Sequence, residues 1–130
     1  MTSSSLDDIP CDLSYLLGNL GGNRESARRL IGIYLDNYPK LRSSLEASFA
    51  ARDLEALHNL IHDIRGGCVL FGAARCIRLV RQMEDQIRMH RFDVLQPAHW
   101  AQWADDAEAL GAALEELASE LRQFLEAEFA

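Results

Sequence analysis

Val, Ile and Thr are scarce in this chain of 130 residues, and only three prolines and eight glycines interrupt a sequence rich in Leu, Ala, Glu and Arg. That shortage argues against a sheet-dominated fold and for helix. No apolar run approaches the ~18 residues of a membrane span. The start, MTSSSLDDIP, is polar and acidic and lacks signal-peptide character. Basic residues are too few for a nucleic-acid binder: the net charge is -7, whereas such proteins draw most of their affinity from surplus Lys and Arg. Cysteine is sparse and odd in number, and Cys11, Cys68 and Cys76 show no C-x-x-C spacing of a metal site. Buried free thiols in a reducing cytoplasm are the expectation. The chain contains neither a P-loop nor a kinase-type glycine loop, so it should not take phosphate from ATP.

What is present is apolar content of 48%, enough for one core and one domain. Residues 1–8 read as a flexible terminus and 9–130 as the folded unit. The apolar period is helical nearly throughout. A short piece, DLSYLLGNLGG, closes on Gly21 and Gly22, and Asn23 can cap a second helix with Ala27, Leu30, Tyr34, Tyr38, Leu41 and Leu45 on its stripe. Pro39 lies inside that run and should kink or split it. Asp53 can cap a third helix, with Leu54, Leu57, Ile61, Ile64 and Cys68 inward and Gly72 as its stop. A fourth carries Cys76, Val80, Met83 and Ile87. Pro97 suits the first turn of a fifth, whose Trp103, Ala107, Leu110, Leu114, Leu117, Leu121 and Phe124 alternate steps of four and three. The expected fold is all-α: an antiparallel, up-down four-helix bundle with an additional short N-terminal helix.

Charge is uneven. Residues 62–91 carry six arginines against Asp63, Glu84 and Asp85, a balance of +3, while residues 92–130 carry nine acids and one arginine, a balance of -8. The basic third also holds the stretch LIHDIRGGCVLFGA, where Gly66 and Gly67 interrupt a core helix at a cost of about 1 kcal/mol each relative to alanine. On a helical wheel His62 lies about 120° from the centre of the apolar stripe and should be exposed. His58, Arg65, Gly66 and Val69 share its face. The glycines either permit close helix packing or clear side chains from beside an exposed imidazole. Glu84 flanks the stripe of the next helix, where an unpaired carboxylate is costly. It is twelve residues after Gly72, and His62 is ten before it, so at about 1.5 Å per residue the two stand nearly level in an antiparallel pair. A hydrogen bond from imidazole Nδ1 to Glu84 would leave Nε2 unprotonated and outward, as a nucleophile.

The run HDIRGGCVLFGA followed by CIRLVRQMEDQI resembles the histidine-containing phosphotransfer (HPt) domain of bacterial phosphorelays. The match lies in His62, Ile64, Arg65, Gly66, Gly67, Gly72 and Ala73, with Glu84 where many members have Gln or Glu, and the resemblance covers roughly residues 12–125. Arg65 stands where lysine is commoner, Gly67 where serine or alanine is usual, and Cys76 in place of leucine. The resemblance implies a phosphoryl carrier with no kinase activity of its own. His62 would accept the group from the aspartyl phosphate of a receiver domain, in a hybrid sensor kinase or a response regulator, and pass it to another. Arg65 would stabilise the phosphoryl charge and Glu84 would orient His62. His58, Gly66, Gly67, Val69, Arg78 and Arg81 would border the docking surface. No cofactor is expected, the Mg²⁺ belonging to the receiver.

A non-catalytic adaptor that binds a receiver or kinase without carrying phosphate is the alternative. A metal held by His58 and His62 lacks a clear third ligand. A monomer is expected, and a start at Met1 points to a stand-alone protein. Leu13, Leu16 and Leu17 of the first helix could seal the bundle or face the receiver.

Overall fold

The computed structural model describes residues 8–129 and contains five helices: α1 (Leu13–Asn19), α2 (Arg24–Ala51), α3 (Leu54–Leu70), α4 (Ala74–Met89) and α5 (Pro97–Phe129). No strand occurs among the described residues. Each long helix packs on the next, and α5 returns against α2, so that the four close a ring while α1 lies on α2. Of the segment expected to be a flexible terminus, residues 1–7 lie outside the described residues.

The boundaries follow from local chemistry. Asn23 accepts a hydrogen bond from the Ser26 amide and Asp53 one from the Ala56 amide, each satisfying a donor that the first helical turn leaves free. Pro97 occupies the first turn of α5, where its missing N–H costs nothing. The main departure from expectation is Pro39: α2 runs unbroken through it for 28 residues. The proline removes one hydrogen bond, but Tyr38 and Leu45 around it are buried against neighbouring helices, and that packing outweighs the local defect.

Helix α4 starts differently. Ala73 offers no side-chain cap. Instead the segment before α1 crosses the α3–α4 turn, where the Ile9 carbonyl accepts from the Arg75 amide at 3.1 Å and the Asp12 amide donates to the Phe71 carbonyl at 2.9 Å. Asp8 fastens this strap through ion pairs to Arg78 at 2.7 Å and Arg75 at 3.4 Å. The hydrogen bond from Arg78 holds the Asp8 carboxyl below its usual range, so the clamp is made at neutral pH and is lost only as acid protonates it. Arg75 reaches on to Glu116 of α5.

The stripes expected on α3, α4 and α5 are the buried ones, from Leu57 to Phe71, Cys76 to Ile87 and Trp103 to Leu121, with Leu54 and Phe124 partly buried. On α2 the frame is offset: Ile31 is fully buried, and Leu30, Tyr34 and Leu41 only partly. Leu16 of α1 is fully buried, Leu13 and Leu17 partly. Trp100 and Trp103 pack edge to face at 5.3 Å and close one end of the core. Cys68 and Cys76 are fully buried and free, and Cys11 is half-buried. Burial pushes the Cys11 thiol up to about 12, and a hydrogen bond with Cys76 together with burial pushes Cys68 higher still, which makes these thiols inert.

Gly72 fixes how α3 and α4 meet. Its φ is +58°, and an added Cβ would lie 2.8 Å from the Asp12 Cβ. Gly72→Ala should therefore cost about 2 kcal/mol or more, from the left-handed conformation and from displacing the strap. In urea the midpoint should fall at unchanged slope, and an unchanged midpoint would show that the turn tolerates a side chain.

Candidate functional site

His62 is exposed for 69% of its side chain, in keeping with its position off the core stripe of α3. Across the α3–α4 seam stands Glu84, of which only 14% is exposed. The level placement expected from residue counting is what the structure has: His62 Nδ1 and Glu84 Oε2 are 3.9 Å apart. That separation is about 1 Å longer than a hydrogen bond. The other carboxylate oxygen, Oε1, lies 3.5 Å from Nη1 of Arg65, one turn along α3 from His62. One largely buried carboxylate thus faces two partners, with its two oxygens divided between imidazole and guanidinium. The direct His62–Glu84 hydrogen bond expected from the sequence is replaced by this shared contact, because Arg65 and His62 lie on the same side of α3 and reach for the same acid.

The two glycines separate. A Cβ on Gly66 would meet nothing within 4 Å, so the space beside His62 is open there. On Gly67 it would come within 3.2 Å of the Tyr34 ring on α2. Gly67 therefore serves helix packing; it lies about 140° round the helix from His62. The difference is testable. Gly66→Leu should keep wild-type stability and lose partner docking, whereas Gly67→Leu should lower the thermal midpoint by several degrees. Equal destabilisation by both would mean that neither glycine is a clearing.

Val69 is 41% exposed on the same face, two turns beyond His62. His58 borders a small cleft of about 240 Å³ with Leu54, Glu55, Ile87 and Arg91. Arg81 is exposed and has no ion pair among the described residues. Arg78 is not part of this group: it is bound by Asp8 and lies about 120° round α4 from Glu84. Residue counting missed Tyr15 and Ile33, which are 46% and 52% exposed on α1 and α2. Tyr15 touches the Gly72 turn, and Ile33 stands, by its distance from the α2–α3 turn, at about the height of Val69 to Phe71. Their only sequence signal is an apolar residue off the core stripe, which is common on protein surfaces.

Among the described residues no group of three or more His, Cys, Asp or Glu side chains could hold a metal ion, and no helix is long and apolar enough to cross a membrane.

The family model described as Hpt domain matches residues 29–127. The signal transduction histidine-protein kinase BarA of Shigella flexneri is 31% identical over 77 residues, and that of Escherichia coli K12 is 30% identical over 77. Each match covers 59% of this chain and 8% of the relative, so the chain aligns with a small part of much longer proteins. In fold, the chain is similar to the crystal structure of the HPT domain of a sensor hybrid histidine kinase from Shewanella. The TM-score is 0.77 at 17% identity, over 97% of this chain and 100% of that one.

Proposed function

Since the chain belongs to the Hpt domain family, whose role is histidine phosphotransfer in phosphorelays, we propose that it is a phosphorelay intermediate with His62 as the phosphorylated residue. It takes the group from the phospho-aspartate of one receiver domain and gives it to the aspartate of another. The observation that carries this reading is the exposed imidazole backed at 3.9 Å by Glu84, with open space at Gly66 for a large partner.

In the forward step the Nε2 lone pair attacks the phosphorus of the aspartyl phosphate. The N–P bond forms as the P–O bond to the aspartate breaks, and the carboxylate leaves with the electron pair. An Mg²⁺ held by the receiver would neutralise part of the charge; this chain supplies position and one cation. Nε2 is free to attack only if the ring proton sits on Nδ1, and Glu84 favours that tautomer from the core side. As Nε2 bonds to phosphorus the ring, still protonated on Nδ1, becomes cationic, and its Nδ1–H is drawn more strongly to the Glu84 carboxylate. Arg65 can then exchange the carboxylate for the phosphoryl oxygens, to which its planar fork is suited. The same steps in reverse load the second receiver. Tyr15, Ile33 and Val69 give this face apolar contact area, and Arg81 gives it positive charge towards an acidic receiver.

The test is incubation with a receiver already phosphorylated on aspartate. Acid-labile, alkali-stable phosphate should appear on this chain, and a second receiver should discharge it. Tight receiver binding without transfer would instead make the chain an adaptor.

A further inference from the structure

The exposed large apolar residues fall into two groups. Tyr15, Ile33 and Val69 belong to the face just described. Met89, Phe92 and Val94 lie at the α4–α5 connection, at the end of the bundle away from Gly72, and are exposed for 68%, 92% and 85% of their surface. The proposed chemistry gives this second group nothing to do. Phe92 stands almost wholly in water, with the Arg91 guanidinium 5.6 Å from its ring centre. An aromatic ring with an arginine and a methionine beside it is the composition that protein interfaces favour.

The same chain carries a matching recess. Between α2 and α5 lies a groove of about 360 Å³ whose walls include Leu45, Phe49, Ala104 and Ala107, with Glu46 and Glu108 also lining it. Arg42, at the same groove, is already bound to the Tyr38 hydroxyl and the Gly111 carbonyl. Glu46 and Glu108 have no ion pair among the described residues. The groove therefore offers an apolar floor lined by two carboxylates against one guanidinium, a net negative wall, and the Phe92 hook offers an apolar tip beside the Arg91 guanidinium. Phe92 does not fill its own groove, since its ring is exposed.

We propose that a second copy of this chain is the occupant: Phe92 of one molecule seats in the α2–α5 groove of another, with Arg91 paired to Glu46 or Glu108. With a net charge of -7 on each copy the favourable electrostatic term is local, the Arg91 guanidinium against the carboxylates of Glu46 and Glu108. Hook and groove lie towards the same end of the bundle, so a two-fold axis brings both pairs together in one isologous interface that closes at the dimer. In the ring of four helices the α2–α5 seam is opposite the α3–α4 seam, which leaves His62 and Glu84 uncovered in the dimer. The association does not depend on phosphotransfer and can fail or hold independently of it.

A contact centred on one aromatic anchor is smaller than a standard interface of ~1,600 Å², so the dimer should be weak and concentration-dependent. Sedimentation equilibrium of the whole chain from roughly 10 µM to 1 mM should show the mass rising towards that of a dimer. Phe92→Asp should hold it at the monomer mass with an unchanged circular dichroism spectrum, since the ring is 92% exposed and takes no part in the core. Glu108→Lys should weaken association about tenfold, and Arg91→Glu in the same molecule should restore it. A wild-type monomer at the highest concentration, or a dimer indifferent to Phe92→Asp, overturns the proposal. A dimer sensitive to Phe92 but indifferent to the charge exchange overturns the groove as its seat.

Discussion

His62→Gln is expected to fold as wild type and to take no phosphate above background from a phosphorylated receiver. Both halves of that result come from the same geometry. The imidazole is 69% exposed and makes no contact with Glu84 short enough to be a hydrogen bond, so its loss should change stability by no more than about 0.5 kcal/mol. Glutamine is of similar length and polarity but has no nucleophilic nitrogen, because the amide lone pair is delocalised. Position and charge neutralisation cannot compensate for an absent nucleophile, so the loss should be complete rather than graded. The measurement is radiolabel retained on the chain after gel separation, alongside a thermal melt. Full phosphorylation of the variant would remove His62 from the reaction and leave the fold assignment standing.

Phe71→Ala should be the most damaging single truncation near the site. Phe71 is fully buried at the end of α3 and meets the Tyr34 ring edge to face at 5.1 Å, and its carbonyl receives the Asp12 amide of the strap. Tyr34 in turn limits Gly67 and carries a buried hydroxyl with no hydrogen-bond partner among the described residues, so the pocket is held by shape rather than by polar contacts. Removing the ring should cost about 3–5 kcal/mol, against the ~5–15 kcal/mol that such a domain has in total. The thermal midpoint should fall by roughly 10–20 °C. In the cold, where the variant is still folded, phosphoryl acceptance should persist, because the ring does not touch His62. A melt within a few degrees of wild type would mean that the cavity collapses without penalty.

The parts of this structure that could be read from the chain are those set by neighbours in sequence. Asn23 and Asp53 cap because a side-chain oxygen reaches an amide three residues on, and Gly72 stops α3 because its φ is positive. The stripe on α5 is regular because its steps of four and three continue on both sides of Gly111, which is not one of its positions. The near-equal height of His62 and Glu84 followed from counting residues either side of one turn. What was not legible depends on partners far away in sequence. Gly67 looks like Gly66 until Tyr34 is placed against it, and Arg78 looks like Arg81 until Asp8, 70 residues earlier, is found on it. Pro39 reads as a break because propensity carries no information about what Tyr38 and Leu45 bury. Glu84 was expected to serve one partner and serves two, since the rotamer of Arg65 is a property of the assembled seam.

The strap across the α3–α4 turn also decides where this unit can be cut. The family match starts at residue 29, within α2, yet the first turn of α4 takes its missing acceptor from the main chain of Ile9, and the end of α3 takes its donor from Asp12. A piece trimmed to the matched span would keep His62, Arg65 and Glu84. It would also leave an amide and a carbonyl without partners at the hairpin that sets their register, and would open the Leu16 site to water. The working limit of the domain is thus set by two backbone hydrogen bonds that carry no side-chain signature, some twenty residues ahead of where the family-model match begins.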